Sequence, residues 1–180
     1  PFYRNSGGGV TFSGGEPALH PAYAGEVARL LAGHDIHVLA ETAGHFAWEA
    51  FSHDLLERLD TIYFDLKLAD PAAHRRYVGP DNRLILDNLQ RLVDAGFDDL
   101  LVRVPLVPGI AATNDNLRRI AAILDRLGLS RVALLPYNPL WLDKRRALGL
   151  PMPYDHDRFM SEPEIAACRR VFEQAGFELA

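Results

Sequence analysis

The chain has 180 residues, a formal net charge of −5 at pH 7, 48% hydrophobic residues and a single cysteine, Cys168, which is an ordinary globular composition. The acidic balance without a basic stripe excludes a typical nucleic-acid surface, and no apolar run reaches the ~20 residues of a membrane span. One cysteine cannot close an intrachain disulfide or by itself hold a zinc ion or an iron–sulfur cluster.

Short β-branched runs alternate along the chain with longer amphipathic runs, which is the pattern of parallel βα units. In chain order, the pattern predicts a strand over Gly9 to Ser13, a helix over Pro21 to Ala32, a strand over Ile36 to Thr42, a helix over Ala47 to Leu59, a strand over Thr61 to Leu68, a short helix from Asp70-Pro71, a helix over Asp81 to Ala95, a strand over Leu100 to Val107, a helix over Asn114 to Leu127, a strand over Arg131 to Tyr137 and a helix over Glu162 to Ala175.

Several predicted helices carry end signals. Ser161 and Glu164 have the spacing of a capping box, and Asp70 before Pro71 is an N-cap followed by proline in the first turn. Between the last predicted strand and helix, residues Asn138 to Phe159 contain several prolines and indicate a long loop, which is a common place for function. Glycines stand at the C-termini of four predicted helices: Gly33, Gly96, Gly128 and Gly176.

The fold class follows from the alternation and the length. Five parallel strands with helices between them fit either a doubly wound open sheet or part of a βα barrel. A complete eight-stranded barrel takes about 250 residues, so the chain is too short for one. We favour an α/β fold of the partial (β/α) TIM-like barrel type, with parallel strands, outer helices and a single domain over residues 1–180.

Polar residues end or follow nearly every predicted strand. Helix-covered parallel strands are expected to be almost entirely apolar, and burying an unpaired charge costs several kcal/mol. In βα barrels the carboxyl ends of the strands carry the active site. We therefore predict that a polar ligand binds among Ser13-Gly14-Gly15-Glu16, Glu41-Thr42, Asp65 with Lys67, Arg103 and Asn138.

The third predicted strand places two opposite charges on one face. Because side chains alternate along a strand, Ile62 and Phe64 can face the helices while Tyr63, Asp65 and Lys67 face the other side together. Asp65 and Lys67 could be a simple interior ion pair, with Arg103 as its extension. That purely structural explanation stays open for each residue alone.

Glycines flank the first predicted strand. Gly7-Gly8-Gly9 before it and Gly14-Gly15 after it remove side chains, so that a ligand can approach the backbone. The pattern of a nucleotide phosphate loop is absent. Backbone carbonyls beside a carboxylate suit an ammonium group, while Lys67 suits a carboxylate, so the features fit the head group of an amino acid.

The segment Gly7 to Pro17 resembles one found in the activating enzymes of glycyl radical enzymes, the pyruvate formate-lyase activating enzyme group of the radical S-adenosylmethionine superfamily. The similarity continues, in the order of the family, through Glu41-Thr42-Ala43-Gly44, Asp65-Leu66-Lys67, Arg103 to Gly109 and Leu134 to Asn138. His74 to Tyr77 resembles a family stretch that faces the protein substrate, although a solvated helical face explains it equally well.

The resemblance implies a specific chemistry. Family members bind S-adenosylmethionine on a 4Fe-4S cluster. Reductive cleavage of the S-adenosylmethionine gives a radical, which takes a hydrogen atom from a glycine of a partner glycyl radical enzyme. A flavodoxin or ferredoxin-type protein is the implied reductant. The implied catalytic residue is Arg103, near the reacting centre.

The resemblance also assigns the cofactor-binding residues. Ser13, Gly14, Gly15 and Glu16 would hold the methionyl amino group with help from Glu41, Lys67 would approach the carboxylate, Asp65 and Asn138 would meet the ribose or adenine side, and Thr42 with Asp65 would join a monovalent cation site.

The departures from the family pattern affect activity. The cluster-binding motif Cys-x-x-x-Cys-x-x-Cys does not occur, so no metal ligand is assigned in this chain, and we expect the motif upstream of Pro1. The chain alone is predicted to be inactive, with Cys168 as a buried thiol. Asn138 replaces the histidine of the formate-lyase activator pattern, which leaves the partner enzyme open. Because the start lacks a signal-peptide layout, we expect a cytoplasmic protein.

Two other functions remain open from the residues. A barrel aldolase could use Lys67 as a Schiff-base amine beside Asp65, although the Gly-Gly-Glu turn would then have no role. A non-catalytic domain could bind a partner through an exposed sheet edge.

Overall fold

The computed structural model describes residues 8–152 and 154–180, so Gly7 and Pro153 lie outside the described residues. The chain forms two compact units. The first comprises the residues up to Leu66 together with Asp70–Arg103, and the second comprises Lys67–Ala69 and Val104–Ala180. The assignment of residues 1–180 to one domain stays a prediction.

In residues 8–66 and 70–103, the described part of the first unit, there are three complete strands, four helices and the start of a fourth strand. Its elements are β1 (Gly9–Phe12), α1 (Pro21–Ala32), β2 (His37–Thr42), α2 (Trp48–Asp54), β3 (Thr61–Asp65), α3 (Pro71–Tyr77), α4 (Arg83–Asp94) and the first residues of β4 (Leu100–Leu106), with short 3₁₀ turns at Pro17–Leu19 and Leu56–Arg58. Neighbouring strands pair in parallel, and the pairing sets Glu41 opposite Tyr63 and Asp65 opposite Arg103.

The second unit contains the rest of β4 and two further strands. Its other elements are α5 (Asn114–Arg126), β5 (Arg131–Pro136), α6 (Trp141–Ala147), α7 (Glu162–Gln174) and β6 (Glu178–Leu179). β5 and β6 run parallel, with Val132 opposite Leu179. Helices α5 and α7 pack together, and their buried side chains include Leu117, Ile120 and Phe172.

The strand order confirms the predicted fold class. Strands β1 to β6 follow one another in the sheet in chain order, with helices in the connections. Doubly wound sheets reverse their strand order at a switch point, whereas barrels of βα units do not. The fold is therefore α/β of the partial (β/α) barrel type.

The predicted helix ends are largely confirmed. Helix α1 has the predicted bounds, and the Asp70 carboxylate accepts a hydrogen bond from the Ala73 amide at 2.7 Å. The capping box is formed, because the Ser161 side chain accepts from the Glu164 amide and Glu164 Oε2 accepts from the Ser161 amide at 2.8 Å. Gly33 differs from the other three glycines, since it keeps a helical φ of −64° and Asp35 takes the left-handed conformation instead.

The helix predicted over Ala47 to Leu59 is shorter than expected. Regular α-helix ends at Asp54, and a 3₁₀ turn follows. The Arg58 guanidinium donates to the Asp54 carbonyl at this helix end, and the next residue, Leu55, is fully buried.

The predicted long loop contains a helix and is held by side-chain hydrogen bonds. Seven of its residues form α6, whose Trp141 Nε1 donates to the Tyr137 hydroxyl at 2.9 Å. The Tyr137 hydroxyl donates in turn to the His156 carbonyl at 2.9 Å, and the Tyr154 hydroxyl donates to the Pro108 carbonyl at 2.7 Å. The loop prediction for this segment is therefore wrong in part. The short strand β6 was also not predicted.

No helix in residues 8–152 and 154–180 is long and apolar enough to cross a membrane.

Candidate functional site

An ion-paired cluster lies at the carboxyl ends of β2, β3 and β4 in the first unit. Arg103 Nη1 donates to Glu41 Oε1 at 2.7 Å, and Arg103 Nε donates to Asp65 Oδ1 at 2.8 Å. The guanidinium carbon lies 5.1 Å from the centre of the Tyr63 ring, within the range of a cation–π contact. One guanidinium thus joins carboxylates from two neighbouring strands.

The strand geometry explains this cluster. Burial alternates along β3, with Ile62 and Phe64 fully buried and Tyr63 and Asp65 half-buried. Parallel pairing places Asp65 directly opposite Arg103. The predicted shared face of Tyr63 and Asp65 is therefore confirmed. The ion-pair partner of Asp65 is Arg103, whereas the sequence left Lys67 open as its partner.

Arg103 is the most enclosed member of the cluster, with 13% of its side chain exposed, against 33% for Glu41 and 22% for Asp65. Burial alone lowers the pKa of Arg103, but the hydrogen bonds to Glu41 and Asp65 outweigh it and the pKa is raised. The guanidinium is therefore a permanent charge, and its fork geometry suits two carboxylates at once.

Glu16 forms a second cluster that joins the turn after β1 to the end of β2. Its Oε1 accepts from the Thr42 hydroxyl at 2.7 Å and from the Ala18 amide at 3.2 Å, while its Oε2 accepts from the Ala43 amide at 2.9 Å. The Thr42 hydroxyl also accepts from the Gly44 amide at 2.9 Å. Glu16 therefore caps the turn that begins at Pro17 and fixes two strand ends together.

The loop after β2 requires glycine at Gly44. Its φ is +78°, and a Cβ there would lie 2.2 Å from Cζ of the Phe64 ring. Asn88 on α4 holds the same loop, because its Nδ2 donates to the carbonyls of Gly44 and Phe46, both at 2.9 Å. The conformation next to Glu41 and Thr42 is therefore determined by packing and by a buried amide.

The turn Ser13-Gly14-Gly15 is open. All three residues are exposed, and a Cβ added to Gly14 or Gly15 would meet no atom within 4 Å. Gly9 has a different explanation, because it lies inside β1 and a Cβ there would lie 2.4 Å from the His37 carbonyl oxygen. The glycine at position 9 serves strand pairing, Gly14 is favoured by its φ of +103°, and the space beside Gly14 and Gly15 is open.

Two predicted site residues belong to the second unit. Lys67 is half-buried, and its carbonyl accepts from Asn116 Nδ2 at 3.3 Å. Asn138 is exposed, and its Oδ1 accepts from the Leu140 amide at 2.9 Å. Their contacts with a cofactor stay predictions, as does a cation site at Thr42 and Asp65, whose polar atoms bond to Glu16, Gly44 and Arg103.

Three structural contributors were missed as site residues. Tyr63 was placed on the correct face by the alternation, but its contact with Arg103 depends on strand register. Asn88 and Asn116 lie on helices and form hydrogen bonds with loop backbones. In the sequence, the one sign of this role is an asparagine among the apolar residues of a helix, because a buried amide needs hydrogen-bond partners. Asn116 Oδ1 accepts from the Ala69 amide at 2.8 Å.

His74 to Tyr77 divides into a buried residue and an exposed remainder. His74 is 1% exposed and its Nδ1 lies 2.8 Å from the Pro80 carbonyl. Arg75 pairs with Asp81, and Arg76 lies over the exposed Tyr77 ring. His74 is therefore a structural residue of the α3 end.

Among the described residues, no group of three or more His, Cys, Asp or Glu side chains is placed to hold a metal ion. Burial raises the pKa of the Cys168 thiol, and Glu164 adds to the shift, which disfavours the thiolate that a metal needs. The described donor set does not fit an iron–sulfur cluster.

The carboxyl ends of the strands in the first unit do suit the positively charged amino group of an amino acid cofactor. The open Gly14-Gly15 turn leaves backbone groups accessible beside Glu16. In the two clusters of the first unit, the carboxylates of Glu16, Glu41 and Asp65 outnumber the one guanidinium, that of Arg103. Ammonium and sulfonium groups are attracted to such a field.

Comparison with known proteins identifies the family of the chain. Residues 2–121 match the family model described as the radical SAM superfamily. The chain is 36% identical over 154 residues to the isethionate sulfite-lyase activating enzyme of Nitratidesulfovibrio vulgaris, covering 84% of this chain and 49% of that protein. It is 31% identical over 178 residues to the pyruvate formate-lyase 2-activating enzyme of Escherichia coli, covering 99% of this chain and 60% of that protein.

A solved structure shares the fold over nearly its whole length. A domain of the pyruvate-formate lyase-activating enzyme of Bacteroides vulgatus superposes with a TM-score of 0.77 at 26% identity, covering 96% of this chain and 98% of that domain. The chain thus spans about half the length of the first curated relative and matches a solved domain closely. These matches favour the radical chemistry over the Schiff-base aldolase, and the chain belongs to the radical SAM superfamily.

Proposed function

We propose that this chain is the S-adenosylmethionine-binding part of an activating enzyme for a glycyl radical enzyme. The observation that carries the proposal is the open Ser13-Gly14-Gly15 turn, which ends in Glu16 and is fixed by it to the strand end that bears Glu41. The relatives named above are activating enzymes, which supports the same reaction class.

The proposal assigns roles to the predicted site residues. Backbone carbonyls of Ser13 to Gly15 accept from the cofactor's amino group, and the Glu41 carboxylate adds electrostatic attraction. Glu16 acts as a positioning residue, because its carboxylate oxygens already accept three hydrogen bonds from the chain. Asp65 binds the ribose or adenine side. Lys67 and Asn138 keep the roles that the resemblance implies.

Arg103 is proposed to hold the two carboxylates in place and to present its remaining N–H groups to the cofactor or the substrate glycine. Bound S-adenosylmethionine, with an iron–sulfur cluster and a flavodoxin or ferredoxin-type reductant, would supply the radical that takes hydrogen from that glycine. The chain has a single cysteine, Cys168, so the three cysteines that would hold the cluster are proposed to lie outside this chain.

The proposal is tested with the protein that carries this chain together with the cluster-binding segment expected upstream. After anaerobic reconstitution and reduction, we expect cleavage of S-adenosylmethionine to 5′-deoxyadenosine and methionine. Arg103→Met removes the cation between two carboxylates and should lower the cleavage rate by about 100-fold, the size of a lost charge-assisted contact in a site.

The matched control is Arg119→Met, which removes an exposed surface ion pair with Asp115 on α5. The control should cleave at the unaltered rate, since such pairs contribute little. Absence of 5′-deoxyadenosine from a protein with an intact cluster would refute the proposed function. Equal rates in Arg103→Met and Arg119→Met would refute the role of Arg103 alone.

A further inference from the structure

Helix α6 in the second unit has an exposed face that none of the proposed roles uses. Leu140 and Leu148, which flank the helix at its two ends, are 62% and 61% exposed. Lys144 lies midway between them and is also exposed. Because residues four apart lie on the same side of a helix, these three side chains share one face, which we call the outer face of α6. Leu142 lies on the opposite side and is buried.

The helix that carries this face is fixed at both ends. At its start, Trp141 Nε1 donates to the Tyr137 hydroxyl at 2.9 Å. At its end, Gly149 takes a left-handed φ of +63°, and its amide donates to the Arg146 carbonyl at 3.1 Å, which closes the helix. A surface that is already ordered loses little conformational entropy when a partner binds to it.

Positive charge predominates on α6, although the chain as a whole has a net charge of −5. The helix contains three cationic side chains and one carboxylate, Asp143, which is paired with Arg146 at 2.9 Å. Lys144 forms no ion pair among the described residues, and Asp155 and Asp157, the next carboxylates along the chain, do not pair with it. The outer face thus presents an ammonium group between two exposed leucines.

We propose that the outer face of α6 binds a segment of a protein partner that carries one carboxylate midway between two apolar side chains. The carboxylate meets Lys144, and the apolar side chains pack on Leu140 and Leu148. The two leucines are eight residues apart along the helix axis, which is about 12 Å. In an extended segment every second side chain lies on one face, and residues four apart are separated by about 13 Å. A Leu-x-Glu-x-Leu segment therefore matches the outer face in spacing and in charge.

The arrangement of charge favours a protein over an anionic membrane. Helices that lie on membranes keep their apolar residues on one side and their charges on the other. Here Lys144 stands between the leucines on the same side. The neighbouring Asp143 carboxylate is exposed, and anionic lipid would repel it. Apolar contacts next to charged groups are typical of protein interfaces.

The test measures binding of short peptides to the full chain by two-dimensional amide NMR. The probe is Ac-Leu-Ser-Glu-Ser-Leu-NH2, and we expect saturable shifts of the amides of Leu140, Lys144 and Leu148. Ac-Leu-Ser-Lys-Ser-Leu-NH2 reverses the charge and should bind about fivefold more weakly. Ac-Ser-Ser-Glu-Ser-Ser-NH2 lacks the apolar side chains and should bind about tenfold more weakly.

Variants of the outer face separate the two contributions. Lys144→Glu should reverse the preference, so that the lysine peptide binds about fivefold more tightly than the glutamate peptide. Leu148→Ser should weaken binding of both leucine peptides about fivefold and keep the preference for glutamate.

The matched controls are Arg118→Glu on α5 and Leu30→Ser on α1, which alter exposed residues of other helices. Both controls should leave binding of the probe unchanged. The amide spectrum of each free variant verifies that it is folded.

Four results would overturn the proposal: no shift with the probe, shifts that map outside α6, equal affinity for the three peptides, or an unchanged preference in Lys144→Glu. Co-sedimentation with vesicles of phosphatidylserine and phosphatidylcholine that Lys144→Glu abolishes would assign the outer face to a membrane instead. If the protein that also carries the expected upstream segment does not bind the probe, that segment covers the face and the proposal fails. None of these measurements requires the cluster, S-adenosylmethionine or radical chemistry, so they are independent of the proposed function.

Discussion

Single hydrogen bonds determine how the strand ends are arranged in the first unit. Thr42 is 4% exposed, and its hydroxyl both donates to Glu16 and accepts from the Gly44 amide. Arg103 likewise joins Glu41 and Asp65, through hydrogen bonds between oppositely charged groups. The candidate site therefore depends on a few groups whose partners come from different elements.

Thr42→Val tests this arrangement through stability. Valine keeps the shape of threonine but removes the hydroxyl, so the Gly44 amide is left buried without its acceptor. The expected loss in the free energy of unfolding is about 1–3 kcal/mol. Urea denaturation gives the value.

Thr42→Ser is the matched control, since it keeps the hydroxyl and loses one methyl group. It should cost clearly less than the valine variant. If both variants unfold at the same urea concentration, the hydroxyl has no structural role and the explanation for Glu16 fails with it.

The sequence predicted which side chains share a face of a strand, but not which side chains form hydrogen bonds or ion pairs with each other. The alternation along β3 correctly placed Tyr63 with Asp65, because side-chain direction depends only on the strand period. The pairing of Asp65 with Arg103 depends on the register between β3 and β4, which is set by packing across the sheet. Asn88 and Asn116 were missed because their backbone partners lie in loops that only the tertiary packing of the helices brings to them.

Among the elements, α1 shows how a helix can be constrained by the backbone of its neighbour. Gly25 lies inside α1, and a Cβ there would lie 1.9 Å from the Asp54 carbonyl oxygen at the end of α2. The helix can approach α2 this closely only without a side chain. A glycine inside a helix, unfavourable by propensity, is here required by packing.

Gly25→Ala should therefore destabilise the protein by about 1–3 kcal/mol, the range of overpacking. Gly33→Ala, at the C-terminus of the same helix, has a helical φ and nothing closer than 3.4 Å to the new Cβ. That control should change the stability by less than about 1 kcal/mol. Thermal unfolding of both variants checks the pair, and equal melting temperatures would be inconsistent with the close approach of the two elements.

Helix α7 makes a prediction about pH. Hydrogen bonds from Arg158 and from Ser161 lower the pKa of Glu164 well below its usual range. A carboxyl whose pKa is lowered by folding contributes stability that is full above its unfolded pKa, about 4.5, and is lost as the pH falls toward the folded value. Glu164→Gln should therefore be less stable than the unaltered chain at pH 7, with a difference that shrinks below about pH 4.

The measurement is urea denaturation of the two proteins between pH 3 and pH 7. Glu173→Gln, an exposed carboxyl near the end of the same helix, is the control and should show no such dependence. If the free energy of unfolding of Glu164→Gln differs from that of the unaltered chain by the same amount at every pH in this range, the charge of Glu164 does not stabilise the protein.

Element boundaries were predictable where chemistry marks them locally. Pro21, Asp70 and the Ser161 to Glu164 capping box gave correct helix starts, because caps act within one turn. Helix α6 was missed because it is seven residues long and lies among prolines, where tertiary hydrogen bonds from Trp141 and Tyr137 stabilise it. The early end of α2, where Arg58 donates to the Asp54 carbonyl and Leu55 is buried, is not marked by a local pattern.

The arrangement of the strands in the sheet could be predicted from the order of motifs along the chain, but not from any single motif. Parallel strands in consecutive order bring residues from successive strand ends to one edge. This rule needs only the sequence of elements and applies to β1 through β4 in the first unit. It does not predict side-chain partners, because these depend on the packing of strands and helices.

We propose that the carboxyl ends of β1, β2 and β3 bind the positively charged amino and sulfonium groups of S-adenosylmethionine. Titration of the chain with S-adenosylmethionine, followed by amide NMR, tests this binding. We predict saturable shifts at Gly14, Gly15, Glu16 and Thr42, and weaker shifts with S-adenosylhomocysteine, which lacks the sulfonium charge. No shift at these residues, or equal shifts with both compounds, would contradict the claim.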